Sequence, residues 1–269
     1  MSQHSHPPVP DVFGLVGHPA RWALLSELAL SDRRVGELAA ALGMPQNGVS
    51  YHLARLRSSG LVSCRRSQAD RRDLYYAADL DRYSELIAEA GVGLHPAARL
   101  IPVWPVTDGS LAPPTRVPIL FLCSGNSARS QLAEALAGRL GAKLVDPCSA
   151  GSRPRPLHPN AVRVLRERGI DISTARPKSL EEFLETRFGY VVTLCDRVRE
   201  VCPEFPGLPE TTHWSIANPA TGDPDDVTYP LFQRTAAELA TRIEFLLAVL
   251  ADRTPAPRAS RREAHAQPQ

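Results

Sequence analysis

The chain has 269 residues, of which 22% are charged, with a formal net charge of only +2. Its length allows two domains with separate cores, and its near-neutrality excludes a bulk basic field, so any affinity for nucleic acid must rest on local arginine placement. The apolar stretches are short and interrupted, with no pattern of a signal peptide or membrane span, and five cysteines is an odd number; a soluble protein of the reducing cytoplasm is expected. No internal repeat is visible.

In chain order, residues 1–10 read as a flexible tail, and His4, His6 and His18 near the start as ordinary tail residues, with no metal site assigned. Residues 11–95 form the first expected domain. Ala20 to Ala29 and Val35 to Leu42 have the spacing of amphipathic helices, and Gly43-Met-Pro-Gln is a short turn into a third helix, Asn47 to Arg57. Ser59-Gly60 closes that helix. Leu61 to Arg66 and Asp73 to Ala77 read as two strands joined by a polar turn. This is the order of a winged helix-turn-helix. The third helix would present Gln46, Asn47, Ser50, Tyr51 and His52 to base edges and backbone, and Arg55, Arg57, Arg65, Arg66, Arg71 and Arg72, opposed only by Asp70, form a cluster suited to phosphates.

Gly36-Glu-Leu-Ala39, Val49-Ser-Tyr-His-Leu53, Leu56, Ser59-Gly-Leu-Val62, Arg65-Arg66 and Tyr75-Tyr76 together resemble the ArsR/SmtB-type repressors. The resemblance implies operator DNA as partner and a homodimer, since such operators are two-fold. Arsenite-responsive members of that family sense metalloid with clustered cysteines. This module holds only Cys64, and one thiol cannot build a three-sulfur site, so the input signal is expected from the rest of the chain.

Residues 96–115, rich in Pro and with Trp104 between two prolines, read as a linker, and 254–269 as a disordered tail. Between them, residues 116–253 alternate strands (near 117–122, 143–146, 189–194 and 211–215) with helices, the last about 229–251. That alternation implies a small four-stranded parallel α/β sheet of flavodoxin-like topology with ligand at the carboxyl ends of its strands. The first strand runs into Cys123-Ser-Gly-Asn-Ser-Ala-Arg129-Ser130, and a helix follows at once. In such a strand-to-helix turn the N–H groups of Ser124, Gly125, Asn126, Ser127, Ala128, Arg129 and Ser130 converge on an anion. The same field favours the thiolate form of Cys123, which makes it a nucleophile. Arg129 adds a planar fork for two oxygens of an oxyanion, and the Ser130 hydroxyl can bond the sulfur.

The run Phe121-Leu-Cys-Ser-Gly-Asn-Ser-Ala-Arg-Ser-Gln131 resembles the signature of the low-molecular-weight protein tyrosine phosphatase superfamily. The likeness continues through Ser149-Ala-Gly151, Leu157-His-Pro-Asn-Ala161, Gly169-Ile-Asp-Ile172 and Tyr190-Val-Val-Thr-Leu-Cys195. Cys195 and Cys202 are similar to the shuttle pair of that superfamily's arsenate reductase branch. The resemblance therefore implies arsenate or phosphate as ligand, Cys123, Arg129, Cys195 and Cys202 as catalytic residues, and no tightly bound cofactor. The reductant implied is an external dithiol, thioredoxin or a low-molecular-weight thiol. Positions seven apart in a helix lie about 10.5 Å apart along its axis, beyond the ~7 Å Cα reach of a disulfide, so the 195–202 segment must unwind, and Pro203 marks a place for it.

Two positions depart from the family pattern. Where relatives carry an Asp-Pro pair whose aspartate is the general acid, this chain has Asn218-Pro219, and Asp223-Pro224 lies five residues on. Asparagine cannot protonate a leaving phenolate. Asn126, Glu134 and Ser149 match the potassium site of some relatives, but a fourth, acidic position is Ser179, beside Lys178, which sets a lysine where the ion would lie. Cys148 is read as structural. The function these residues imply is a DNA-binding regulator joined to an arsenate reductase. The alternatives are a regulator with a non-catalytic oxyanion- or redox-sensing domain, or one with protein tyrosine phosphatase activity using Asp223.

Overall fold

The computed structural model describes residues 9–94 and 116–253. The expected linker 96–115, the tail 254–269, His4, His6 and Trp104 lie outside the described residues, as does residue 95, and so do residues 1–8 of the expected N-terminal tail.

The first unit begins with α1 (Asp11–Val16), α2 (Pro19–Leu30), α3 (Val35–Leu42) and α4 (Gln46–Ser58). The hairpin of β1 (Val62–Arg66) and β2 (Leu74–Ala78) follows, then α5 (Leu80–Leu94). Each helix takes its ends from local chemistry. The His18 ring accepts from Ala20 N–H ahead of Pro19 at the start of α2, and at the start of α3 the Glu37 carboxylate accepts from Arg34 N–H (2.8 Å) and from Arg34 Nη2 (3.1 Å). Gly43, at φ 62°, ends α3 in the left-handed conformation that glycine adopts without strain. The apolar stripe of α4, Val49, Leu53 and Leu56, is buried with Leu24, Leu38 and Leu61 in one cluster. β1 and β2 pair antiparallel, Cys64 opposite Tyr76 and Arg65 opposite Tyr75.

The second unit is built on β3 (Val117–Cys123), β4 (Val145–Gly151), β5 (Tyr190–Thr193) and β6 (Glu210–His213), paired all-parallel in the order β4-β3-β5-β6. The helices α6 (Arg129–Leu140), α7 (Pro159–Arg166), α8 (Asp196–Glu200) and α9 (Asp225–Arg253) and a short 3-10 turn (Leu180–Phe183) complete it. The central strands β3 and β5 carry an almost unbroken buried run, with Leu120, Phe121, Leu122, Val191 and Val192 at 0% exposure, as a sheet covered on both faces requires. Leu132, Ala133 and Leu136 of α6 and Phe232, Leu239 and Ile243 of α9 close over them.

Two boundaries differ from the sequence expectation by more than two residues, the end of β4 and the start of α9. The second strand lies at 145–151, not 143–146, so Cys148 falls mid-strand; Pro147 obscures the pattern, and β4 tolerates it because an edge strand can lose an N–H. The last helix starts at Asp225, one turn before the expected 229. Asp225 and Asp226 favour a helix N-terminus, and Pro230 sits inside the helix. Among the described residues no helix is long and apolar enough to cross a membrane.

Leu122 sits at the centre of this packing. Leu122→Ala should cost about 2–5 kcal/mol of stability, read as a lower urea midpoint; an unchanged midpoint would contradict the layered core.

Candidate oxyanion site

β3 ends with Cys123, 3% exposed, and α6 begins with Arg129, 7% exposed, so the 124–128 loop is held between a buried strand and a buried helix start. Its carbonyls are tied outward: Ser124 O accepts from Arg153 N–H (2.8 Å), Gly125 O from Arg155 N–H (2.9 Å) and Ser127 O from His158 N–H (2.9 Å). Because a trans peptide sets N–H opposite C=O, the N–H groups of Gly125, Asn126 and Ala128 turn to the other side. That is the geometry of an anion nest at a helix N-terminus.

Asn126, at φ 44°, is the strained residue of the loop, and four bonds hold it. Its Nδ2 donates to Ser130 Oγ (2.9 Å) and Ser149 Oγ (2.7 Å), and its Oδ1 accepts from Gln131 Nε2 (3.0 Å) and Lys178 N–H (2.7 Å). Gly151 presses against it so closely that a Cβ there would meet Asn126 N at 2.8 Å and Ser124 O at 2.9 Å. This gives a physical reason for glycine at the end of the Ser149-Ala-Gly run. Cys123 Sγ is 2.9 Å from Ser130 Oγ, as expected for a hydroxyl that steadies the sulfur. Arg129 Nη1 donates to Ile216 O (2.8 Å) and Leu194 O (3.4 Å), which anchors the guanidinium at the carboxyl ends of the sheet.

Cys195 caps α8, is 1% exposed, and has its Sγ 3.3 Å from Oγ of Ser124, the residue after Cys123. Cys202 lies beyond the other end of α8 and is half-buried; burial pushes its thiol up to about 11, and it donates to Pro203 O (3.7 Å). Cys148 is raised to about 12 by burial and by the Glu134 carboxylate, which suits a structural thiol. Lys178 Nζ bonds both oxygens of Glu134 (3.1 and 2.9 Å), and Ser149 Oγ donates to the same carboxylate (2.5 Å). The lysine ammonium thus occupies the carboxylate, while Ser179 is the cap of the 3-10 turn, its N–H on Glu182. Asn218 Nδ2 is taken up by Ala220 O (2.8 Å) in its own turn, two residues beyond the carbonyl that holds Arg129, whereas Asp223 faces solvent.

On the winged unit, Gln46, Asn47, Ser50, Tyr51, Arg55 and Arg57 of α4 and Arg66, Arg71 and Arg72 of the wing are exposed. Two residues expected in that row are turned out of it. The His52 ring packs at a tilt against His18, centroids 4.6 Å apart and planes at 45°, because it lies on the α4 flank that packs on the start of α2. Arg65 points into the second unit: its Nη2 bonds both oxygens of Asp196 (3.0 Å each) and Ser215 Oγ, and its Nε donates to Ser215 O (2.8 Å).

Asp196 is the group the sequence reading missed. It is 1% exposed and accepts, besides Arg65, from Gln68 N–H at the wing tip (2.6 Å) and Ser215 Oγ (2.6 Å), with His213 Nε2 at 3.2 Å. Burial alone would raise its titration, but the bonds from His213, Ser215 and Gln68 and the Arg65 charge outweigh it, holding the carboxyl well below the usual carboxylate range. The one local signal was an acid just after Cys195, in the first turn of a helix. The Gln68 amide oxygen also reaches Arg129 Nη1 at 3.5 Å, so the wing borders the oxyanion loop.

Residues 118–256 match the model of the low molecular weight phosphotyrosine protein phosphatase family, and residues 18–63 that of the arsR family of bacterial regulatory proteins. The chain is similar to an arsenate reductase of Halalkalibacterium halodurans, 37% identical over 127 residues that make up 47% of this chain and 91% of the relative. An arsenate reductase of Brevibacillus brevis is 36% identical over 126 residues, 47% of this chain and 90% of the relative. Among solved structures, an arsenate reductase from Archaeoglobus fulgidus aligns with 48% of this chain and 98% of its own at 32% identity, with a TM-score of 0.40.

Because the Asp196 carboxyl titrates lower folded than unfolded, its stabilisation is complete above the unfolded value near 3.9 and is lost as pH falls through the folded one. Chemical denaturation across acid pH should show stability falling below about pH 4, with a shallower fall in Asp196→Asn. Identical slopes for the two proteins would contradict the assignment.

Proposed function

The chain belongs to the low molecular weight phosphotyrosine protein phosphatase family and carries an arsR-family helix-turn-helix ahead of that domain, and from this premise we propose that it is a DNA-binding regulator with arsenate reductase activity. The observation that carries the reading is the succession of three thiols along one path: Cys123 at the anion nest, Cys195 beside it, and Cys202 one short helix away.

Arsenate sits in the nest with its charge on the loop N–H groups and Arg129. Cys123 attacks arsenic as its thiolate, and an arsenic-bound oxygen leaves as water. Cys195 then attacks the Cys123 sulfur. The S–S bond forms as the S–As bond breaks, and the electron pair of that bond stays on arsenic, which departs as arsenite. Cys202 attacks Cys195, returning Cys123 as a thiolate and leaving a Cys195–Cys202 disulfide for an external dithiol, thioredoxin or a low-molecular-weight thiol, to reduce. The raised Cys202 thiol suits this order, because it is a poor nucleophile while buried and becomes a better one once the helix opens.

DNA binding is assigned to the exposed face of α4, Gln46, Asn47, Ser50, Tyr51, Arg55 and Arg57, with Arg66, Arg71 and Arg72 on phosphates and a homodimer as the operating form. Asn218 favours one second reading, a regulator whose oxyanion domain senses without turnover, since no acid stands where phosphomonoester hydrolysis needs one. Asp223, exposed before α9, is the acid that a phosphatase reading would have to recruit.

Cys202→Ser should still release arsenite in a single turnover but lose cycling with a thioredoxin-type dithiol. Normal multiple turnover in that variant would overturn the relay, and no turnover of the unsubstituted protein with any dithiol would transfer the assignment to the sensing domain.

A further inference from the structure

The helix α8 has only five residues, yet three of them bind the winged unit. Asp196 accepts from Arg65 and from Gln68 N–H, Arg197 Nε donates to Gln68 O (3.3 Å), and Arg199 Nη2 donates to Glu37 Oε1 (2.7 Å). The Arg199 guanidinium also lies over the Tyr75 ring of β2, 5.2 Å from its centroid. Wing and helix are therefore joined at both ends of α8. The same helix fills the interval between Cys195 and Cys202.

Cys195 is the N-cap of α8 and Cys202 lies beyond its C-cap, Val201, so the cysteines are held apart by a five-residue helix that alone spans about 7.5 Å, whereas a disulfide needs its Cα atoms within about 7 Å. Closing it requires the 196–201 backbone to leave the helix. Asp196, Arg197 and Arg199 then move with the backbone that carries them, and their partners lie on the other unit. Arg65 is the wing arginine that this arrangement withholds from solvent, and the buried side of its fork is satisfied only while Asp196 and Ser215 stay in place.

We propose that α8 is a redox latch on the wing, an inference that rests on the thiol relay assigned above: formation of the Cys195–Cys202 disulfide unwinds α8, withdraws Asp196 and Arg199, and releases the wing with Arg65 for DNA phosphates. The two thiols give up two electrons and two protons. In turnover the electrons have already passed to arsenic through the Cys123–Cys195 bond; in a test they pass to diamide, a thiol oxidant. By linkage, DNA that takes the released wing must favour the oxidised form to the same degree.

The full chain is compared reduced and after diamide, with the disulfide mapped by peptide mass spectrometry. Amide hydrogen exchange is followed at Gln68, whose N–H sits on Asp196, and affinity is measured for a random-sequence DNA duplex by fluorescence anisotropy. Oxidation should speed exchange at Gln68 and tighten DNA binding at least about fivefold, the low end of typical allosteric couplings. Cys202→Ser treated identically should show neither change. Glu37→Gln, which keeps the α3 cap but removes the charge facing Arg199, should speed wing exchange in the reduced protein. A mapped Cys195–Cys202 disulfide with unchanged exchange and DNA affinity would overturn the latch and leave the relay standing. Failure of that disulfide to form would overturn the relay and the latch together.

Discussion

A carboxylate buried to 1% exposure is tolerable only while its donors stay in place, and Asp196 draws them from three directions: the wing through Arg65 and Gln68, the end of β6 through His213, and the following loop through Ser215. Removing one partner of such a buried pair typically costs about 3–5 kcal/mol, because the other charge is left without compensation. That penalty makes the arrangement closer to two-state than continuously deformable. It also ties together parts of the chain with different work to do, since Asp196 follows a proposed redox cysteine and Arg65 sits among the wing arginines. Asp32 repeats the theme nearby. It is 2% exposed, pairs with Arg242 of α9 (2.7 Å) and accepts from Ser215 N–H (2.7 Å), while its own N–H donates to His213 O (2.7 Å).

The sheet places these groups where chemistry can use them. With β3 and β5 adjacent and parallel, Cys123 and Cys195 leave the same edge of the sheet, and Leu194 N–H on Leu122 O (2.7 Å) fixes the two exits side by side. The loop that follows β3 turns its carbonyls away and its amides inward. The residues after β6 carry the Ile216 carbonyl that anchors Arg129. The proposed oxyanion site would draw on these three parts, the loop amides, the Arg129 fork and the Cys123 thiol, at the carboxyl ends of parallel strands. In this chain the wing of another unit reaches Arg129, through the Gln68 amide oxygen.

The strand-turn-helix around Cys123 was legible because its signals are local: an unbroken apolar run, a Gly-Asn turn and a helix that starts at once. In the winged unit α2, α3, α4 and the hairpin were legible for the same reason, in 3.6-residue and two-residue periods closed by Gly43 and Gly60, whereas α1 and α5 were not singled out. β4 was placed two residues early at its start and five residues short at its end because Pro147 and small side chains hide a strand whose burial comes from its neighbours. The Asp196 network was not legible at all. Its bonds join residues 128, 131 and 150 positions apart, and nothing in a period or motif says that a wing arginine will face a carboxylate of another unit and not DNA. Arg65 was grouped with the phosphate-binding arginines on charge alone, which is the inference that packing overrides.

The decisive measurement gives the reduced 269-residue chain arsenate and no external thiol, with arsenite quantified per chain and every cysteine mapped as thiol or disulfide. A three-thiol relay should release one arsenite per chain, leave a Cys195–Cys202 disulfide and return Cys123 as a free thiol. No arsenite, with all three thiols still open to alkylation, would contradict it.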